Sequence, residues 1–461
     1  MLLKKFITSL QQWECYFCQH RTLLLAIRLA VSLLVVPGRK TVSRALLASG
    51  RQDCDWSADY KLFSRSSWES NDLFRPAIED SVCYSRSAFI AIGVDDTCIP
   101  KNGSHIPGVS YCRDPMSPPF QVNLILGKRF LQASVLLPLY LNNETPLSAR
   151  AIPIEFEDIA PLKKPKKNAG ESAWTIYKEE KKKKNMSMSF VTMTNNLRKK
   201  YDDAGAQDKI LVMVGDGSFC NQTVFTQEFD RCVIVARARK DARLCFRAKG
   251  KTRRFYDKHK FSPEQIRKDE TIPYGATNVF FGSKKREVRY KEVSDVYWQR
   301  GAKRKKLRLI VIAPTGYRLT KKSKKYYRDP AYLFTTDLTT PVSILIQMYF
   351  DRVQIEFNFR DEKQIIGVGQ SQVRNKNSVP RQPAFVVAAY SLLLFSALNL
   401  YGGERTNDYL PLPKWRSQQP NRASTLDIIE LLRHDYCEEH EFLSEFHINS
   451  SPKQLAACGW G

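Results

Sequence analysis

Three acidic positions, far apart in the chain, could work together. Asp95-Asp96 follows the apolar run Ala88-Phe-Ile-Ala-Ile-Gly-Val94, Asp216 follows Lys209-Ile-Leu-Val-Met-Val-Gly215, and Glu356 lies much further on. Carboxylates brought together are hard oxygen ligands suited to Mg²⁺ or Mn²⁺, with positions left open for a phosphate. Two such ions about 3.5–4 Å apart can activate a water or a 3′-hydroxyl on one side and stabilise the leaving oxygen on the other. An Asp after a strand is also a common loop cap, so neither Asp96 nor Asp216 argues for this chemistry alone.

The surroundings of Glu356 are more specific. Tyr349, Arg352, Glu356 and Lys363 stand at i, i+3, i+7 and i+14. At about 100° per residue they fall near 0°, −60°, −20° and −40° of a helical wheel, one strip about 60° wide. An acid between two cations and a phenol suits a nucleic acid backbone, the acid holding metal while Arg352 and Lys363 hold phosphates. A solvated charged face gives a similar pattern. Asp361 and Glu362, however, fall off the strip.

The elements that must position these groups follow from periodicity. The two apolar runs before Asp95 and Asp216 read as strands buried on both faces, and Cys232–Ala236 as a third. Val122–Leu126 and Leu131–Leu139, separated by Gly127-Lys128-Arg129, read as a hairpin. Residues 1–85 read as helical, with Thr41 capping one helix and Arg39, Lys40, Arg44 and Arg51 available to DNA. Residues 160–184 read as a Lys-rich solvated loop entering a helix near 186–201. A helix is expected over 341–365, capped by Thr340 with Pro341 first, then a core helix over 384–401 and a helical piece around 424–440.

The spacing Tyr349-x2-Arg352-x3-Glu356-x6-Lys363 resembles the YREK signature of one group of DDE transposases, the bacterial family typified by insertion sequence four. Val94-Asp-Asp-Thr97-Cys-Ile-Pro-Lys101 is similar to the first acidic motif of that family, and Val214-Gly-Asp216-Gly-Ser-Phe to the second. Asp95 and Asp96 compete for the first role; Asp96 is favoured because Thr97 follows it, as in the family motif. The resemblance, over about 88–400, implies an α/β fold. It would have an RNase H-like core with a mixed five-stranded sheet flanked by helices, interrupted by an all-β basic insertion domain, plus a helical N-terminal domain.

It also implies a layout in five parts: 1–85 for DNA-end recognition, 86–236 and 341–405 for the two parts of the core, 237–340 for the insertion, and 406–461 for dimerisation. The implied activity is nicking at the ends of an insertion sequence, with a hairpin step, and strand transfer into target DNA. Asp96, Asp216 and Glu356 would hold two Mg²⁺ or Mn²⁺ ions, and Tyr349, Arg352 and Lys363 would contact phosphates. Trp298 on the insertion would receive a flipped base, although an aromatic there also suits hairpin packing. The implied partners are terminal inverted repeats, target DNA and a second copy of the chain.

Composition agrees with a nucleic acid partner. The chain has 461 residues, 73 Lys plus Arg against 47 Asp plus Glu, and a net charge of +26. Residues 237–325 hold 29 basic against eight acidic residues, a net +21. This is the footprint of a polyanion binder. Hydrophobic residues at 43% exclude a wholly disordered or collagen-like chain. Eleven cysteines are too sparse for a disulfide scaffold; they read as thiols of a reducing compartment, the cytoplasm.

Leu23–Val36 is short of a bilayer span, and Pro37-Gly38-Arg39-Lys40 after it is no signal cleavage site. Ala384–Tyr401 reaches the threshold length but contains Asn399, and is expected in the core. Cys15-x2-Cys18-x-His20 lacks a matching second pair for zinc, with Cys437 and His440 a remote complement. Gly367-Val-Gly369 follows no strand and is no nucleotide loop. Two further classes compete with a transposase: a catalytically inactive or repurposed DNA-binding protein, and an RNase H-like nuclease acting on other nucleic acid.

Overall fold

The computed structural model describes residues 1–114, 117–118, 120–141, 145–146, 148–159, 161–250, 253–282, 284–318, 320, 322–416 and 420–449. Parts of the expected C-terminal region, 417–419 and 450–461, lie outside the described residues.

Ten strands make one mixed sheet: β1 (Phe89–Pro100), β2 (Ser110–Arg113), β3 (Leu124–Leu137), β4 (Arg150–Asp158), β5 (Ile210–Gly215), β6 (Cys232–Arg237), β7 (Gly275–Phe281), β8 (Lys284–Tyr297), β9 (Lys306–Ile312) and β10 (Ala331–Thr335). At its heart the order is β4-β3-β1-β5-β6. The β4–β3 and β3–β1 pairs are antiparallel, and the β1–β5 and β5–β6 pairs parallel. This arrangement is consistent with an RNase H-like fold. The sheet does not stop at five strands, though: β10, β9, β8 and β7 continue it from β6, all antiparallel. The expected all-β insertion is thus joined to the central sheet edge to edge, because β10 pairs with β6 at Leu333–Thr335.

Two expectations near the first acids fail. Gly127-Lys128-Arg129 is no turn; β3 runs straight through it. A Cβ on Gly127 would lie 2.5 Å from Cys98 Sγ and 2.9 Å from the Ile99 carbonyl, so the glycine permits close strand approach. The two cations beside it are used in ion pairs, Lys128 with Asp158 (2.6 Å) and Arg129 with Asp96 (2.6 Å). Similarly, part of the expected Lys-rich loop is a helix, Glu171–Lys183, leading into Met186–Asp203.

The helices cover the two faces of the sheet. On one face, the helices of residues 1–85 pack with Ser378–Tyr401; Trp13 and Phe63 contact the Phe385 ring at 5.4 and 5.3 Å. The N-terminal helices therefore share the main core. A buried ion pair, Arg28–Asp59 (2.7 Å), ties two of them together. Thr41 caps as expected, accepting from the Arg44 N–H. Lys40 is not available to DNA: it is buried, donates to the Leu34 and Val36 carbonyls, and burial pushes its pKa down to about 7. Ser378–Tyr401 is long and apolar enough to cross a membrane, but most of it is packed inside this fold.

The other face carries Val342–Asp351 and Gln354–Gln364. Val342, Leu345 and Ile346 cover Val212, Val214, Val235 and Ile310; Ile355 covers Ala91, Leu136 and Ala151. The expected single helix is two, interrupted at Arg352-Val353. There the Val353 N–H bonds the Phe350 carbonyl (3.3 Å) and the Glu356 N–H bonds the Val353 carbonyl (3.1 Å). These tighter i→i−3 bonds mark a local change of axis. Pro341, not Thr340, flanks the first helix; Thr340 is buried and its N–H bonds Asp337 (2.9 Å).

Candidate active site

Strand alternation decides which carboxylates meet. On β1, Ile92 and Val94 belong to the main core, whereas Ala91 faces Ile355. Gly93 is on that second face too: a Cβ there would lie 2.4 Å from Ile355 Cδ1. Side chains alternate along a strand, so Asp95 continues the face of the Glu356-bearing helix and Asp96 takes the other. On β5, Val212 and Val214 face the same helix layer, and Asp216 continues their parity. The parallel pairing of β1 with β5 ends at Val94 opposite Gly215, leaving Asp95 and Asp216 as the next residue on each chain.

The structure therefore brings together Asp95, Asp216 and, through Arg352, Glu356. Arg352 donates to Asp95 Oδ2 (2.9 Å) and stands 3.8 Å from Glu356 Oε1. Burial, with the nearby charges of Asp216 and Asp96, pushes the Asp95 carboxyl up to about 6, against the pull of Arg352. Asp96, the acid favoured from sequence, instead accepts from Arg129 Nε at 2.6 Å. Asp216 is ordered by its own loop, accepting from the Ser218 N–H (2.9 Å) and hydroxyl (3.0 Å). The Glu356 side chain is 59% exposed and so accessible to a ligand.

Asp95, Asp96 and Glu356, with Lys363, border a cleft of about 1550 Å³, whose lining does not include Asp216. Burial lowers the pKa of Lys363, partly offset by Glu362, Cys98 and Asp96. Sequence reasoning missed two contributors, Arg129 and the lysines at the end of the Glu171–Lys183 helix: Lys181, Lys183 and, just past it, Lys184 line the same cleft. Their density was visible in sequence, but their placement depended on a helix that was not expected. The other two residues singled out as DNA contacts are packed. Tyr349 is half-buried beside the Phe350 ring (6.0 Å). Trp298 lies against Phe334 (5.3 Å) and Phe225 (6.0 Å), with Gly301 pressed on its indole.

Among the described residues, no group of three His, Cys, Asp or Glu side chains is gathered at metal-binding separation, and this includes Cys15, Cys18 and His20. The oxygen-only donors Asp95, Asp216 and Glu356 nevertheless suit a hard divalent ion. Like charges crowd Asp95, and the guanidinium of Arg352 is the cation now between it and Glu356. The ten described cysteines are free thiols.

A mixed sheet flanked by helices, with Asp95 and Asp216 placed where the parallel pairing of two strands ends, is consistent with a nuclease-type core. The family model described as DDE superfamily endonuclease matches residues 19–305, more than half of the chain, and the chain belongs to that family. The match includes both aspartates and ends before Glu356. Its members act on DNA and generally use divalent metal ions. No curated protein matches the sequence.

Proposed function

We propose that this DDE endonuclease is a transposase of the YREK group, the insertion sequence four type. In this reading it cuts the ends of its element and joins them to target DNA. The observation that carries the reading is the side-by-side placement of Asp95 and Asp216 under the helix bearing Glu356, with Arg352 bonded to Asp95. Asp95, Asp216 and Glu356 would hold Mg²⁺ or Mn²⁺, with Asp95 taking the role that sequence assigned to Asp96. Bound there, two such ions would supply an activated water or 3′-hydroxyl and stabilisation of the leaving oxygen.

The chain's own side chains do the rest. Lys363 and the other lysines lining the cleft, Lys181, Lys183 and Lys184, hold phosphates along it. Arg352, at the helix interruption, positions Asp95 and is placed to take the phosphate next to the cut bond. Asp96 holds Arg129 toward the same cleft. Pairing of two element ends by a homodimer belongs to the same proposal.

The test is nicking of duplex carrying the terminal inverted repeats found beside the gene. Wild type is expected to cut only with Mg²⁺ or Mn²⁺, and Glu356→Gln to bind that DNA but not cut it. Equal cutting by Glu356→Gln would end the proposal. Binding by wild type without cutting under any divalent ion would leave a DNA-binding protein instead.

A further inference from the structure

Behind the Glu356 helix lies a second cavity, of about 560 Å³, to which the acid cleft does not extend. Arg150, Arg286, Arg318, Arg328, Arg360 and Arg422 line it. Among the described residues, only Arg360 of these six has a carboxylate within ion-pair distance, Asp361 (2.9 Å). The others spend their donors on carbonyls or aromatic faces. Arg422 bonds the Ala149 carbonyl (2.7 Å), Arg150 that of Ala423, Arg286 that of Phe281 (3.1 Å) and Arg318 that of Ser323 (3.0 Å). Burial, with the charge of Arg150 beside it, pushes the Arg422 pKa down to about 9. Two carboxylates, Asp351 and Asp361, also line the cavity, and against six arginines they leave a surplus of positive charge suited to an anion.

Aromatic faces alternate with these cations. The Arg328 guanidinium lies over Phe281 (5.0 Å) and Tyr317 (5.7 Å), and Arg360 over Phe357 (5.2 Å), whose ring is 43% exposed. Planar cations stacked on aromatic rings suit successive phosphates and bases, the combination that takes unpaired strands without sequence readout. The volume falls in the range of small-ligand sites and is too small for a duplex.

We infer that the arginine and aromatic cavity behind the Glu356 helix is a second nucleic acid site, which takes a single-stranded DNA segment. The inference rests on the chain's acting on DNA, and its test uses no cleavage. Asp351, Val353 and Gln354 also line this cavity and flank Arg352. A strand seated there therefore bears on the segment that sets the position of Arg352 against Asp95.

The experiment is fluorescence anisotropy of a labelled oligothymidylate of about eight nucleotides, titrated with the full chain in EDTA. The double variant Arg318→Ala/Arg328→Ala is expected to weaken binding at least about tenfold and to flatten the salt slope by about 1–2. Arg318→Ala alone, an exposed side chain whose loss cannot unfold the core, is expected to give part of the effect. Unchanged affinity in the double variant overturns the inference. So does a larger loss in Lys363→Ala than in the double variant, which would put the strand in the acid cleft. Absence of metal-dependent cutting would leave this result untouched.

Discussion

The short helix Gln354–Gln364 has two unlike faces. Toward β1 it presents Glu356 and Lys363 over a cleft lined by five carboxylates; away from it, Phe357 and Arg360 border a cavity with six arginines. Glu356 and Arg360, one turn apart on the helix, open onto different cavities. The acid side leaves Glu356 exposed and crowds Asp95 with like charge. The arginine side instead has positive charge that few carboxylates neutralise. One side is organised to gather cations and the other to gather phosphates, and both are held by the same eleven residues.

The contrast breaks most sharply at the paired aspartates. Asp95→Asn is expected to lower metal-dependent nicking by on the order of 10²-fold or more, on the scale of losing one group that stabilises the transition state. Asp96→Asn, which loosens Arg129 only, is expected to cost well under that. Rates measured side by side on one duplex decide it; the reverse ranking would restore Asp96 as the first acid and make alternation a poor guide here.

The same positions show what was legible in sequence. The buried apolar runs announced β1, β5 and β6, because strands covered on both faces leave a continuous hydrophobic signature. They placed Asp216 just past β5, whereas Asp95-Asp96, expected at the end of the first strand, lie inside β1, which runs on to Pro100. What they did not carry was parity: which of two adjacent acids faces a helix depends on pairing partners far away, Gly215 on one side and Leu131 on the other. Gly127-Lys128-Arg129 misled because turn composition also serves a close strand crossing whose cations are needed by Asp158 and Asp96. The expected strip over Tyr349–Lys363 assumed one straight helix, and the interruption at Arg352 removes Tyr349 from it. The arginine cavity left no local trace at all, since its six arginines come from five separate stretches of chain.

A smaller effect is expected where the helix seats on the sheet. Gly93 lets Ile355 descend onto β1, with Ile355 Cδ1 2.4 Å from where a Cβ would stand and Leu136 Cδ2 at 3.4 Å. Gly93→Ala should cost about 1–3 kcal/mol, the usual range for overpacking, read as a lower urea midpoint at unchanged m-value. Because Ile355 precedes Glu356, nicking should fall further than stability alone explains. A variant equally stable and equally active would mean that the seat is loose and that the two faces are not set by this contact.

The smallest effect concerns Glu362, the residue of this helix that belongs to neither face. It is buried, and one carboxyl oxygen, Oε1, has no hydrogen-bond partner. Burial pushes its pKa from 4.5 up to about 8, opposed by a hydrogen bond from Gln132. The sign follows from linkage: below about 4.5 the carboxyl is protonated folded or unfolded and contributes nothing. Between about 4.5 and 8 only the unfolded chain ionises it, so stability drops steadily as pH rises, and above about 8 the penalty is constant. Glu362→Gln removes a titrating group while keeping an amide in its place. Its melting temperature should therefore climb relative to wild type from pH 5 to pH 8, then hold level. A difference independent of pH would show that Glu362 ionises normally in the fold. The neutral spine between the acidic and basic faces would then have to be replaced by a charged one.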